Sequence, residues 1–150
     1  MRFTTLLGLS AAAAPALAAS TASLYVTNDC SESVYVVYAT DASGSYVQGQ
    51  KTLTTGTGFQ VILAGLGYSV GFSTDSNYYA TTTPKLIMGY SVNSDDSLLY
   101  YSITTDVGNP FASQSWSLTS DNDACTSVSS PNGVTYACPA GSFLFFNLCG

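Results

Sequence analysis

An all-β sandwich or barrel of about eight to nine short strands is the fold this sequence predicts, and three observations carry the expectation. Short apolar and aromatic runs recur along the chain, several with the period-2 alternation of half-buried strands. Gly, Pro, Asn, Asp and Ser collect between those runs, and no window after the first twenty residues carries a convincing 3.6-residue apolar stripe. The first two runs, 23–27 and 34–39, precede the turn Asp41-Ala42-Ser43-Gly44. The next two, 58–64 and 68–73, flank the glycine-rich corner at 65–67, and Tyr68-Ser69-Val70-Gly71-Phe72 alternates as a half-buried strand should. Runs 85–92 and 98–104 are joined through Asn93-Ser94-Asp95-Asp96, which reads as a hairpin connection. Gly108-Asn109-Pro110 leads to 113–119, Pro131-Asn132-Gly133 to 134–138, and 142–148 closes the chain. Each punctuation supplies a residue that presets φ or tolerates positive φ, which is why turns form there. No repeat, linker or second domain interrupts the pattern.

Residues 1–18 read as a secretory signal peptide. Arg2 gives the positive start, Leu6, Leu7, Leu9 and the alanines at 11–14 the apolar stretch, and Pro15-Ala16-Leu17-Ala18 a small-x-small cleavage signature, with the cut after Ala18 or Ala19. A membrane-spanning helix needs about 20 continuous apolar residues, and the longest later candidate, 143–146, is far shorter. The expectation is a secreted protein, extracellular or in the cell wall, whose single domain spans 19–150. Cleavage removes Arg2 and leaves Lys51 and Lys85 against nine acids, a net charge of −7, with no Arg and no His. Nucleic acid and anionic membrane surfaces both demand Lys and Arg, so neither is expected as a partner. An apolar content of 46% argues against disorder, and the chain is long enough for one monomeric core.

Four cysteines allow three pairings, and sequence alone does not choose among them. The preferred set is Cys30 with Cys149, which ties the two ends together, and Cys125 with Cys138. It rests on the tendency of antiparallel first and last strands to be neighbours, and on the local pair needing only a hairpin or loop. A metal site fails on spacing, since there is no C-x-x-C pair and no His. Neither a metal nor another cofactor is expected.

Candidate chemistry is sparse. Gly67-Tyr68-Ser69-Val70-Gly71 satisfies the G-x-S-x-G pattern of a hydrolase nucleophile elbow, but that elbow needs a strand-turn-helix setting and a base. Without His no Ser-His-Asp triad can form, and the alternation places Ser69 on the outer face of a strand. Asp95 and Asp96 form the obvious carboxylate pair for glycoside chemistry, yet they fall in a turn, where Asp is favoured for local hydrogen bonding. Asp121-Asn122-Asp123 offers oxygen ligands without completing a calcium loop. Eleven tyrosines remain, with Tyr78-Tyr79 and Tyr100-Tyr101 adjacent. In a strand each doublet sends one ring inward and one outward, and exposed rings can stack on sugars or anchor a protein. Asp95, Asp96, Asp106 and Tyr101 are the candidate binding residues; no catalytic residue is assigned.

The succession Asn28-Asp29-Cys30, Val34-Tyr35-Val36-Val37-Tyr38, Tyr100-Tyr101-Ser102-Ile103 and Asp106-Val107-Gly108-Asn109-Pro110-Phe111-Ala112 carries a family resemblance. Cys125, Pro131-Asn132-Gly133, Cys138 and Leu148-Cys149 complete it. In this order the chain resembles the fungal family named for the Blastomyces yeast-phase-specific protein, itself similar to small thaumatin-like proteins. The segment Asp-x-x-Gly-Asn-Pro-Phe is its most specific piece. The resemblance implies a secreted, thaumatin-like antiparallel β-sandwich with first and last cysteines joined, and it implies no enzyme mechanism. Larger thaumatin-like proteins carry more disulfides and an acidic cleft linked with glucan binding; no cleft residue can be carried over here. Family members often have a Trp in the first strand, where this chain has Val37-Tyr38; its single Trp is Trp116.

Three functional classes follow. The first is a non-catalytic secreted binding protein of a fungus, acting at the cell wall or as an effector-like protein at a host interface, with wall polysaccharide or an extracellular protein as partner. The second is a wall-glycan hydrolase using a pair among Asp95, Asp96, Asp106, Asp121 and Asp123. The third is a structural wall or surface component. The first is preferred.

Overall fold

The computed structural model describes residues 21–42, 44–93 and 97–150; the leader read at 1–18 and the pair Asp95 and Asp96 lie outside them. Ten strands follow in order: β1 (Ala22–Asn28), β2 (Val34–Thr40), β3 (Val47–Leu53), β4 (Thr57–Leu63), β5 (Tyr68–Ser73), β6 (Lys85–Asn93), β7 (Leu98–Asp106), β8 (Trp116–Ser120), β9 (Tyr136–Pro139) and β10 (Phe143–Leu148). They form two facing sheets, a small one in the order β4-β1-β10-β8 and a large one in the order β3-β2-β5-β6-β7-β9. Alternation decides what each strand gives to the core between them. Leu24 and Val26 of β1, Val34 and Val36 of β2, Val70 and Phe72 of β5 and Leu144, Phe146 and Leu148 of β10 are all buried there. Across the layers Phe72 meets Phe146 at 4.5 Å, and Trp116 stacks on Phe146 at 5.3 Å.

One strand is absent from the sequence-based set. β3 lies at the edge of the large sheet and reads Val-Gln-Gly-Gln-Lys-Thr-Leu, with only Leu53 fully buried. An edge strand wet on both faces has no apolar alternation to announce it, and Lys51 and the glutamines suit such an edge. Its register is set by partners, since Gly49 lies opposite Tyr38 and the Tyr38 ring occupies the space a Cβ there would need.

The ends of the chain meet in an unexpected direction. β1 and β10 run parallel, with Asn28 opposite Leu148, where antiparallel neighbours were expected. Parallel pairing is what permits the end-to-end bond, because the residues that follow both strands emerge on the same side. Cys30 and Cys149 lie there with Cα atoms 4.8 Å apart and are joined. An antiparallel β10 would have left Cys149 at the opposite end from Cys30. The second bond, Cys125 to Cys138, fastens the connection after β8, an edge of the small sheet, to β9, an edge of the large one.

Asn28 organises the first of these corners. Its side chain is fully buried and donates to the carbonyls of Glu32 and Leu53, both at 2.9 Å, while its Oδ1 accepts from the Cys30 N–H. Asn28→Ala is expected to cost about 2–3 kcal/mol, since it strands buried backbone groups. Urea unfolding of the two proteins would measure it, and a loss under about 0.5 kcal/mol, the scale of a plain surface change, would contradict the role.

Candidate functional site

Asp106 and Tyr101, the two candidate binding residues within the described segments, do not come together. Asp106 ends β7 on the surface, where its Oδ2 accepts from the Lys85 ammonium at 3.1 Å. Lys85 also donates to the Ala80 carbonyl and lies 5.7 Å from the centre of the Tyr78 ring, so Asp106 anchors the β5–β6 loop. The motif that follows is structural too. Asn109 accepts from the Phe111 N–H at 2.9 Å, and the Phe111 ring is fully buried. Tyr101 is 1% exposed, its hydroxyl donates to the Thr126 carbonyl, and it contributes to the lining of a shallow cleft over Gly89. The same alternation that turns Tyr100 outward turns Tyr101 into the core.

Other acids are dispersed or occupied. Asp121 accepts from the Phe143 N–H at 3.0 Å, and no cluster of three or more His, Cys, Asp or Glu suited to a metal occurs among the described residues. Ser69 is exposed within β5, opposite Gly89. Two shallow clefts among the described residues have no carboxylate in their lining. One of about 310 Å³ lies on the outer face of the large sheet over Gly89, between Ser91, Ser102 and Tyr100. The other, of about 360 Å³, lies at the open edge where Tyr38, Val47 and Ile62 meet.

The β5–β6 loop closes the rest of that outer face. Gly71 is required here, because the Tyr78 hydroxyl occupies the place its Cβ would take. Tyr79, outside on the same loop, accepts a hydrogen bond from Gln48 of β3 at 2.6 Å. Burial pushes the Tyr78 hydroxyl up to about 12, with Tyr79 and Asp106 adding to the shift, and burial also raises Tyr90 and Tyr101. Below the ordinary tyrosine value of 10.0 these groups are neutral in both states, and their stabilisation is fully present. Above it the unfolded chain ionises first, so stability is expected to fall from pH 10.0 to about 12. Urea midpoints across that range would show it, and Tyr78→Phe should flatten the decline.

The outer face of the small sheet went unrecognised in the sequence-based choice of sites. Tyr25 of β1 lies opposite Phe145 of β10 and Gln60 of β4, and Ser23 opposite Phe143 and Ile62. The Tyr25 and Phe145 rings lie 5.6 Å apart and nearly parallel at 19°, and Phe143 adjoins Tyr25 at 6.1 Å. A solvated sheet face is ordinarily polar. The signal was present in Phe143-Leu144-Phe145-Phe146, where a half-buried strand should have alternated with polar residues and does not.

A family profile described as Blastomyces yeast-phase-specific protein matches residues 10–150. The chain belongs to that family. Among solved structures it is similar to the protein elicitor MoHrip2 from Magnaporthe oryzae, with a TM-score of 0.68 and 26% identity, over 85% of this chain and 98% of that one. It is also similar to the thaumatin-like xylanase inhibitor TLXI, with a TM-score of 0.53 and 14% identity, over 85% of this chain and 99% of that one. The latter likeness is one of fold, and the fold of this family member is thaumatin-like. No curated protein sequence matches it.

Proposed function

We propose that the protein is a secreted, non-catalytic binding protein of a fungus, acting at the cell wall or, in an effector-like role, at a host interface. The observation that carries this reading is the likeness to a fungal protein elicitor at 26% identity over 98% of that chain. Supporting it, both cysteine pairs are bonded, as suits an oxidising compartment, and no helix among the described residues is long and apolar enough to cross a membrane. The two clefts described above have no carboxylate in their lining, and Asp106 and Asp121 serve the fold through the contacts given above. The partners it fits are wall polysaccharide or an extracellular protein.

The test uses purified mature protein against washed fungal wall, β-glucan and chitin, alongside infiltration into leaf tissue. Sedimentation with wall material without release of reducing sugar, or a leaf response without wall binding, supports the reading and separates its two settings. A protein that does neither, or one that releases reducing sugar, would overturn it.

A further inference from the structure

We infer that the outer face of the small sheet is a stacking platform for a neutral polysaccharide chain; this rests on the binding role proposed above and gives it a location. Tyr25, Phe143 and Ile62 are 36%, 38% and 43% exposed on this face, beside the half-buried Phe145. Rings held out in water at a hydrophobic cost mark a place where something else covers them.

The groups around the rings identify its chemistry. Gln60 donates to the Ser23 hydroxyl at 2.9 Å, and Asn147 accepts from the Thr27 hydroxyl at 2.7 Å. Both amides are thereby held in place, while the Gln60 carbonyl oxygen and the Asn147 amide N–H groups have no partner within the described protein. The face thus presents ring surfaces flanked by two side-chain amides, each with hydrogen-bonding capacity left over. No ionisable group apart from the Tyr25 phenol belongs to these cross-strand rows, and the adjacent Asp121 is occupied by the Phe143 N–H. A pyranose is complementary to this arrangement. Its apolar C–H face can lie against the ring surface that the Tyr25–Phe145 pair and Phe143 leave exposed, its hydroxyls can meet the amides, and it brings no charge that would need a counter-ion.

Size argues in the same direction. A protein partner ordinarily engages about 20–30 residues a side and favours Arg among its anchors. This platform has three rings and one isoleucine, and the chain past the leader contains no Arg. A short stretch of neutral sugar chain is the occupant that these few rings and amides favour.

The test is sedimentation of the purified mature protein with insoluble β-glucan, chitin and cellulose, repeated at high salt. The wild type is expected to sediment with at least one polymer, independently of salt. The double variant Tyr25→Ala with Phe145→Ala should bind about tenfold more weakly. Phe143→Ala, a milder change at a more exposed ring, should weaken binding if the double variant does not fold. Tyr25→Phe should retain it, and Tyr79→Ala, on the large-sheet side, should be neutral. Loss in Tyr79→Ala would move the site to the large-sheet side, and undiminished binding by folded platform variants would overturn the inference while leaving the binding role intact. So would a wild type that ignores all three polymers yet retains an extracellular protein through Tyr25 and Phe145. Absence of polymer binding, protein binding and leaf response together would remove both.

Discussion

Replacing Cys30 and Cys149 together by serine is expected to lower stability by about 4–5 kcal/mol, the largest loss any single covalent change should cause in this protein. The bond spans a sequence separation of 119, so it removes loop-closure freedom from nearly the whole unfolded chain. Such a loss approaches the whole stability of a domain at the low end of the usual range of about 5–15 kcal/mol. At this chain length it should lower the melting temperature by on the order of 10–20 °C. The companion bond closes a separation of only 13, and Cys125→Ser with Cys138→Ser should cost nearer 3 kcal/mol. Thermal melts of both double variants under non-reducing conditions test the order. A Cys30 and Cys149 variant that melts at or above the other would contradict it. Because β1 and β10 are central neighbours in parallel register, release of this bond should also fray the Asn28 and Leu148 end first. Faster hydrogen exchange at that end would report it.

Phe146→Ala should be the most damaging single substitution in the core, at about 3–5 kcal/mol. Phe146 is fully buried in β10, within 4.5 Å of Phe72 from the facing sheet and 5.3 Å of Trp116 from the neighbouring strand. Removing its ring opens a void between two rigid layers that β-pairing prevents from collapsing together. Phe146→Leu keeps much of the volume and should cost under about 1.5 kcal/mol. Trp116 is the sole tryptophan, so its fluorescence reports directly on this contact. A loss below about 1 kcal/mol for the alanine variant would show that the layers re-pack freely, contrary to a close-packed interior.

The platform and the cleft over Gly89 differ in how much of them the sequence announced. The unbroken Phe143-Leu144-Phe145-Phe146 run was visible, but its meaning depended on knowing that only one of its faces is covered. Tyr101 could be placed on a strand yet not on the inner side, because the doublet with Tyr100 is symmetric until β6 and β9 supply its neighbours. Among the described residues Asp106 has no partner within its own segment of sequence; Lys85, which pairs with it, stands twenty-one residues earlier.

By itself the sequence determined the all-β class, nine of the ten strands of the described residues and an acidic chemistry with no His and Arg2 as the sole Arg, because alternation and turn residues act over a few neighbours. Only the tertiary structure decided that β1 and β10 run parallel, that the polar β3 is a strand, and that Tyr25 and Phe145 stack in the open while Tyr101 is buried. The physical reason is common to all three. A strand carries two faces and two edges in its own sequence, but which of them is covered, and in which direction its neighbour runs, is settled by residues far away along the chain.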